Sequence, residues 1–199
     1  SYEWRAAAYA ELAKLALVIG EERRAADYAA KLLAEQPGDL DALGVRLVIA
    51  RRRGDAALRA AALRAIDEVD PLSPLARFER LLAGGARDPG ATLLHALKGE
   101  MPEQQLFELA SWYLGCGERD AALRLLVGVG EHPEALYWRA LLEPEQAAGL
   151  RARADALSPV RVLPFRPEIL DAIAAAQAGA PTIWQRSWYL ALGQWHAGN

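Results

Sequence analysis

"GEERRAADYAAKLLAEQP", Gly20 to Pro37, and "GDAALRAAALRAIDEVDP", Gly54 to Pro71, are two copies of one pattern. Gly20 and Gly54 lie 34 residues apart (54 minus 20), and Pro37 and Pro71 lie 34 apart as well (71 minus 37). Two landmarks of different chemistry therefore share one period. Glycine takes the left-handed conformation that ends a helix at little cost, and proline cannot continue one. The stretch between them reads as a helix, about Glu22 to Glu35 in the first copy, burying Ala25, Ala29 and Leu32. Before Gly20, Tyr2 to Ile19 reads as a partner helix with apolar positions at Tyr9, Leu12, Ala13 and Ala16. The second copy repeats this with Leu43, Leu47 and Ala50 before Gly54, then Leu63 and Ile66. These are two successive helical hairpins, and the abundant alanine lets paired helices approach closely.

The period resembles that of the tetratricopeptide repeat, a unit of about 34 residues built as helix, turn and helix. Tyr9, Leu12, Gly20, Ala25, Ala29 and Pro37 match its pattern in the first copy, and Leu43, Leu47, Gly54 and Pro71 match in the second. Arg46 and Arg59 depart from it, standing where the pattern prefers Leu and Ala. The resemblance implies an all-α fold, a right-handed α-solenoid of stacked antiparallel helix hairpins. Looser copies continue along the chain, giving hairpins at about 2–37, 38–71, 72–99, 102–131 and 133–158. Residues 1–160 are read as this repeat region. Residues 161–199 are read as a Pro-rich joint followed by a terminal hairpin, with a truncated repeat as the alternative reading of that hairpin. Pro133 and Pro144 fall at first helical turns, where proline costs little.

Composition excludes several classes. At 199 residues and 53% hydrophobic, the chain can bury one or two cores and is too apolar for disorder. Charge interrupts each apolar stretch well before the roughly 18 residues of a membrane span. The 23 basic and 26 acidic residues give a net charge of -3, without the basic excess of a nucleic-acid-binding domain. Cys116 is the single cysteine, so an intrachain disulfide is impossible, which fits a cytoplasmic location. The start Ser1-Tyr2-Glu3-Trp4 carries no initiating methionine, so a processed or excised N-terminus is expected and targeting is unreadable there.

Motifs for catalysis are sparse. His95, His132 and His196 form neither HExxH nor HxH, and Cys116 in "LGCGER" reads as a small buried filler. Gly128 and Gly130 belong to no GxGxxG pattern and follow a helix, not a strand. Glu21-Glu22 and the pair Glu143 and Glu145 stand at helix starts, where carboxylates complement the helix dipole. No enzyme activity, cofactor or metal is expected, and binding is the default function of such a scaffold.

Repeat register assigns Ala10 and Lys14, then Val48, Arg51 and Arg52, then Gln104, Phe107 and Ser111 to a concave face that would hold a peptide or protein partner. Arg51-Arg52-Arg53 is the densest basic run, either a grip for an acidic ligand or cations favoured by a helix C-terminus. Tetratricopeptide domains that clamp C-terminal carboxylates use a lysine and asparagine set, and the asparagines are missing here. Trp184, Trp188, Leu192 and Trp195 form one aromatic stripe on the last helix, which either folds back on the preceding hairpin or packs on a neighbouring domain or a second copy in a homodimer.

"DPLSPLARFE" and "VLPFRPE" resemble segments in the repeat region of large bacterial proteins in which tetratricopeptide-like hairpins follow a β-rich domain of unknown function. That likeness implies a fragment of a longer chain. It offers a second functional reading, a helical accessory domain of a larger carbohydrate-active enzyme. In "VLPFRPE" the prolines enforce an extended bridge with a new helix at Pro167. Phe165 is expected to plug the junction between hairpins, and Arg166 to tie down a helix end or face a partner domain.

Overall fold

A computed structural model describes residues 2–179 and 182–198. Ser1, Ala180, Pro181 and Asn199 lie outside the described residues. Among the described residues the fold is all-α, with no strand. The helices are α1 (Tyr2–Val18), α2 (Glu22–Glu35), α3 (Leu40–Arg53), α4 (Ala56–Val69), α5 (Pro74–Ala83) and α6 (Pro89–Ala96). They continue with α7 (Pro102–Gly115), α8 (Arg119–Val129), α9 (Pro133–Leu142), a 3-10 turn at Pro144–Gln146, α10 (Ala147–Ala156), α11 (Pro167–Gly179) and α12 (Trp184–His196).

The repeat is written in the backbone hydrogen bonds. At the ends of α1, α3, α5 and α7, glycines at 20, 54, 85 and 117 take positive φ, and the next residue's N–H closes back on a carbonyl five residues earlier. Those bonds run from Glu21 to Ala16 (2.8 Å), Asp55 to Ala50 (2.9 Å), Ala86 to Leu81 (3.0 Å) and Glu118 to Tyr113 (2.8 Å). Each is the glycine C-cap that satisfies carbonyls the helix itself leaves open. The ends of α2 and α4 also match, with Gln36 N–H on Leu32 and Asp70 N–H on Ile66, both at 2.7 Å. Asp39 and Asp55 cap α3 and α4 by accepting from the N–H groups of Ala42 and Leu58, each at 2.8 Å.

The chain divides into two compact units, Ser1–Pro89 with Trp112–Arg119, and Gly90–Ser111 with Asp120–Asn199. The division falls near Pro89 and within α7, and the Pro-rich joint lies inside the second unit. In the first unit α1 packs on α2 and α3, α3 on α4, and α4 on α5. Packing of one helix on both its next and next-but-one neighbour is what stacked hairpins require. Its core holds Leu17, Leu32, Leu43, Leu47, Ile66, Phe78 and Tyr113. α2 buries Ala25, Ala29 and Leu32 as the spacing demands. α1 corrects its expected phase: Ala6, Ala10, Ala13, Ala16 and Leu17 are buried, whereas Leu12 is exposed. Close helix contact selects small residues there, so the larger side chain turns outward.

In the second unit α9 packs on α10 and α11, and α11 on α12. α6 and α8 cross backbone to backbone, where a methyl on Gly128 would run into the main chain of Gly90 and Ala91. That close approach is the reason for glycine in "GVG". Leu106, Phe107, Leu126, Leu136, Tyr137, Ile173 and Tyr189 fill the core.

Candidate binding site

The first unit draws its candidate cations inward. From α3, Arg51 donates to the wholly buried Glu79 (Nε to Oε1, 3.3 Å) and pairs with Glu118 (2.9 Å). Arg52 also pairs with Glu118 (2.6 Å) and donates to the carbonyls of Leu17 and Cys116 at 3.0 and 3.2 Å. Arg53 reaches Glu22 at 2.9 Å. Burial lowers the Arg51 pKa, but Glu79 and Glu118 outweigh it and raise the value. The run therefore acts as a knot joining α3 to α5 and to the turn after α7, and its arginines are spent on the protein's own acids. Lys14 is likewise engaged, with Glu11 at 2.5 Å and Asp41 at 3.9 Å. Its pKa is lowered by burial and raised further by these two carboxylates, for a net rise. Val48 and Ala10 are buried and present no side chain to a groove. Cys116 is buried, which pushes its thiol up to about 12 and leaves no thiolate near neutral pH.

In the second unit Phe107 is also core, at 0% exposure, with its ring 5.4 Å from that of His132 and 6.4 Å from that of Trp138. It does not line a binding groove, because these two rings cover it. Ser111 donates its hydroxyl to Glu168. Gln104 and Arg166, 62 residues apart, meet: Arg166 donates to the Gln104 side-chain oxygen at 2.5 Å and to its carbonyl at 3.3 Å. Arg166 also lies over the Phe165 ring, 4.5 Å from its centre. Burial lowers the Arg166 pKa, and Glu108, Glu134 and Glu168 act in the opposite sense.

Phe165 is partly exposed and is not a sealed plug. With Leu163 and Pro164 it forms one wall of an apolar cleft of about 430 Å³. Met101 and Gln104 at the start of α7 form a second wall, and Leu192, Trp195 and His196 at the end of α12 a third. The His196 ring stands 5.3 Å from that of Phe165.

The tryptophan stripe faces outward. Trp184, Trp188 and Trp195 are 61%, 50% and 78% exposed, so the fold-back of these three rings is not what occurs. α12 instead buries Arg186, Tyr189 and Gly193. Arg186 holds Asp155 of α10 through Nε at 2.9 Å and Nη2 at 2.6 Å, and donates Nη1 to the Ala176 carbonyl of α11. The Tyr137 hydroxyl of α9 donates to the same Asp155 at 2.5 Å. This anchor escaped the sequence reading. Its one signal is the spacing 186, 189 and 193, which places an arginine on a face shared with a tyrosine and a glycine.

Behind the cleft wall Glu134 is 0% exposed. Burial raises its pKa to about 7, only partly offset by the Leu163 N–H, the Arg166 guanidinium and the Gln104 amide. Glu103 adds a further rise. A raised carboxyl holds its proton in the fold at pH values where the unfolded chain has lost it. Its contribution to stability is present below the ordinary carboxyl range and is lost as pH rises towards about 7. Each pH unit across that window costs about 1.4 kcal/mol. Glu134→Gln is therefore expected to stabilise the protein by roughly 2–3 kcal/mol at pH 8 and to change little at pH 4. Urea unfolding at the two pH values measures the difference.

Among the described residues no group of three or more His, Cys, Asp or Glu is placed to hold a metal ion, and no helix is long and apolar enough to cross a membrane. Comparison with protein-family models, curated proteins and solved structures finds no significant match to this chain.

Proposed function

We propose that the chain is a non-catalytic helical-repeat scaffold of tetratricopeptide-like build, and that the tryptophan face of α12 docks another protein or a neighbouring domain. The 34-residue spacing of Gly20 and Gly54, and of Pro37 and Pro71, supports the family likeness, as do the shared glycine C-caps. The observation that carries the docking role is the exposure of Trp184, Trp188 and Trp195 along one stripe, anchored from beneath by Arg186. Large exposed apolar patches mark interaction surfaces, and tryptophan is enriched among residues that dominate interface energetics.

A photo-crosslinking residue at position 188 in the full-length protein tests this in cells. One defined adduct is expected, to a separate protein or to another domain of the same polypeptide. Trp184→Ala with Trp188→Ala should weaken that association at least tenfold, about 1.4 kcal/mol or more, without lowering thermal stability. An association unchanged in the double variant would overturn the assignment.

A further inference from the structure

We infer that the outer face of α1 is a docking surface for a second copy of this chain, the two helices pairing antiparallel about a two-fold axis near Glu11 and Leu12. α1 is apolar on both sides. Its core-facing side holds Ala6, Ala10, Ala13 and Leu17. On the opposite side Trp4, Ala8, Leu12, Leu15 and Ile19 form a second stripe, at steps of four, four, three and four residues. The Ile19 N–H still bonds to the Leu15 carbonyl at 3.1 Å, so the helical register carries to the end of that stripe. All five of its residues are exposed, Trp4, Leu15 and Ile19 by 55–77%. A helix apolar all round is ordinarily buried, and a helix on the open side of a stack ordinarily shows water a polar face.

The internal repeat shows what covers such a face and which occupant fits this one. Moved on by 34 residues, Ala8 and Leu15 become Ala42 and Ile49 of α3, both buried. Ile49 lines the groove between α3 and α2 together with Ala30 and Leu33. The edge of that contact is charged: Arg46 and Arg53 stand where α1 has Leu12 and Ile19, and Arg53 holds Glu22 of α2 at 2.9 Å. At those positions α1 has no cation, so a helix like α2 would leave its carboxylate opposite Ile19. A second α1 fits instead, because the stripe reads alike from either end. In an antiparallel pair each residue faces the one whose number completes 23, so Trp4 meets Ile19 (4 plus 19) and the small Ala8 meets the larger Leu15 (8 plus 15). One patch that complements itself is what a two-fold interface requires, and steps of four and three are those of side chains interlocking between paired helices. The Glu11 carboxylates of the two copies flank the axis, and each is neutralised by its own Lys14 at 2.5 Å.

Sedimentation equilibrium of the whole chain tests the proposal. A monomer–dimer equilibrium with a micromolar dissociation constant is expected, since one helix pair makes a small interface. Leu12→Glu with Leu15→Glu, both at exposed positions, should weaken the dimer at least tenfold while helix content by circular dichroism stays unchanged. Oxidised single-cysteine variants report the pairing, and the native Cys116 is buried and does not compete. Leu12→Cys, next to the axis, should cross-link to itself. A mixture of Ala8→Cys and Leu15→Cys should cross-link one to the other, whereas Ala8→Cys alone should not. A chain still monomeric at about 100 µM, a dimer untouched by the double glutamate variant, or self-linking of Ala8→Cys, which marks a parallel pair, overturns the proposal. Trp184→Ala with Trp188→Ala should leave the dimer intact, so failure of the α12 face and failure of the α1 face are separable. Loss of the dimer in that variant also overturns the proposal.

Discussion

Arg186→Ala is expected to destabilise the second unit by about 3–5 kcal/mol, the loss associated with removing one partner of a buried ion pair. The cost arises because the variant leaves two groups poorly satisfied. Asp155 loses two hydrogen bonds and its counter-charge, keeping the Tyr137 hydroxyl, and the Ala176 carbonyl loses its donor. Arg186→Lys retains a charge but has no planar fork to hold both carboxylate oxygens, so an intermediate loss is expected. Urea unfolding followed by tryptophan fluorescence reads this directly, since Trp184, Trp188 and Trp195 lie on the same helix. A change below about 1 kcal/mol, the value of an exposed pair, would show that the anchor contributes little. Because α12 carries the tryptophan face, the alanine variant should also loosen any association made there.

Arg51→Met is expected to cost a similar amount, about 3–5 kcal/mol, in the first unit. Glu79 is wholly buried on α5 and would keep one donor, the Tyr113 hydroxyl at 2.8 Å. Tyr113 is itself fully buried, and its pKa is held well above the ordinary phenol value by burial first and by Glu79 second, so it stays a neutral donor; a phenol cannot replace the lost positive charge. The double variant Arg51→Met with Glu79→Gln tests the cause. It removes the stranded charge while leaving Tyr113 an acceptor, and should recover most of the loss. If the double variant is as unstable as Arg51→Met alone, the penalty comes from lost packing of the arginine stem.

Much of the helical layout was legible because its signals act over a few residues. Gly20, Gly54 and Gly117 each take the positive φ that a glycine C-cap uses, and Pro133 and Pro167 begin α9 and α11. Ala25, Ala29 and Leu32 share one buried face because the helical repeat alone brings them together. Orientation was less legible. In α1 the hydropathy pattern favours Leu12, yet the buried face is lined chiefly by alanines, because the facing helices leave room for small side chains. In α7 repeat register places Phe107 on a groove, but His132 and Trp138, from distant stretches of chain, cover it.

The site divides along the same line. Gln104 and Arg166 were each singled out from sequence, but for different roles, and their contact depends on how the joint meets α7. The buried Glu134 behind them carried no sequence signal, since a glutamate in a first helical turn ordinarily faces water and complements the dipole.

The sequence by itself determined that this protein is all-α, where most of its helices start and stop, and that a tryptophan stripe lies on the last of them. These follow from φ preferences, cap chemistry and helical periodicity, which are local properties of the chain. Only the tertiary structure decided which face of each helix is inside, that the arginine run is consumed by Glu79 and Glu118, and that an arginine and not the tryptophans anchors α12. Those outcomes depend on partners supplied by distant segments, because burial and charge pairing are properties of the packed whole.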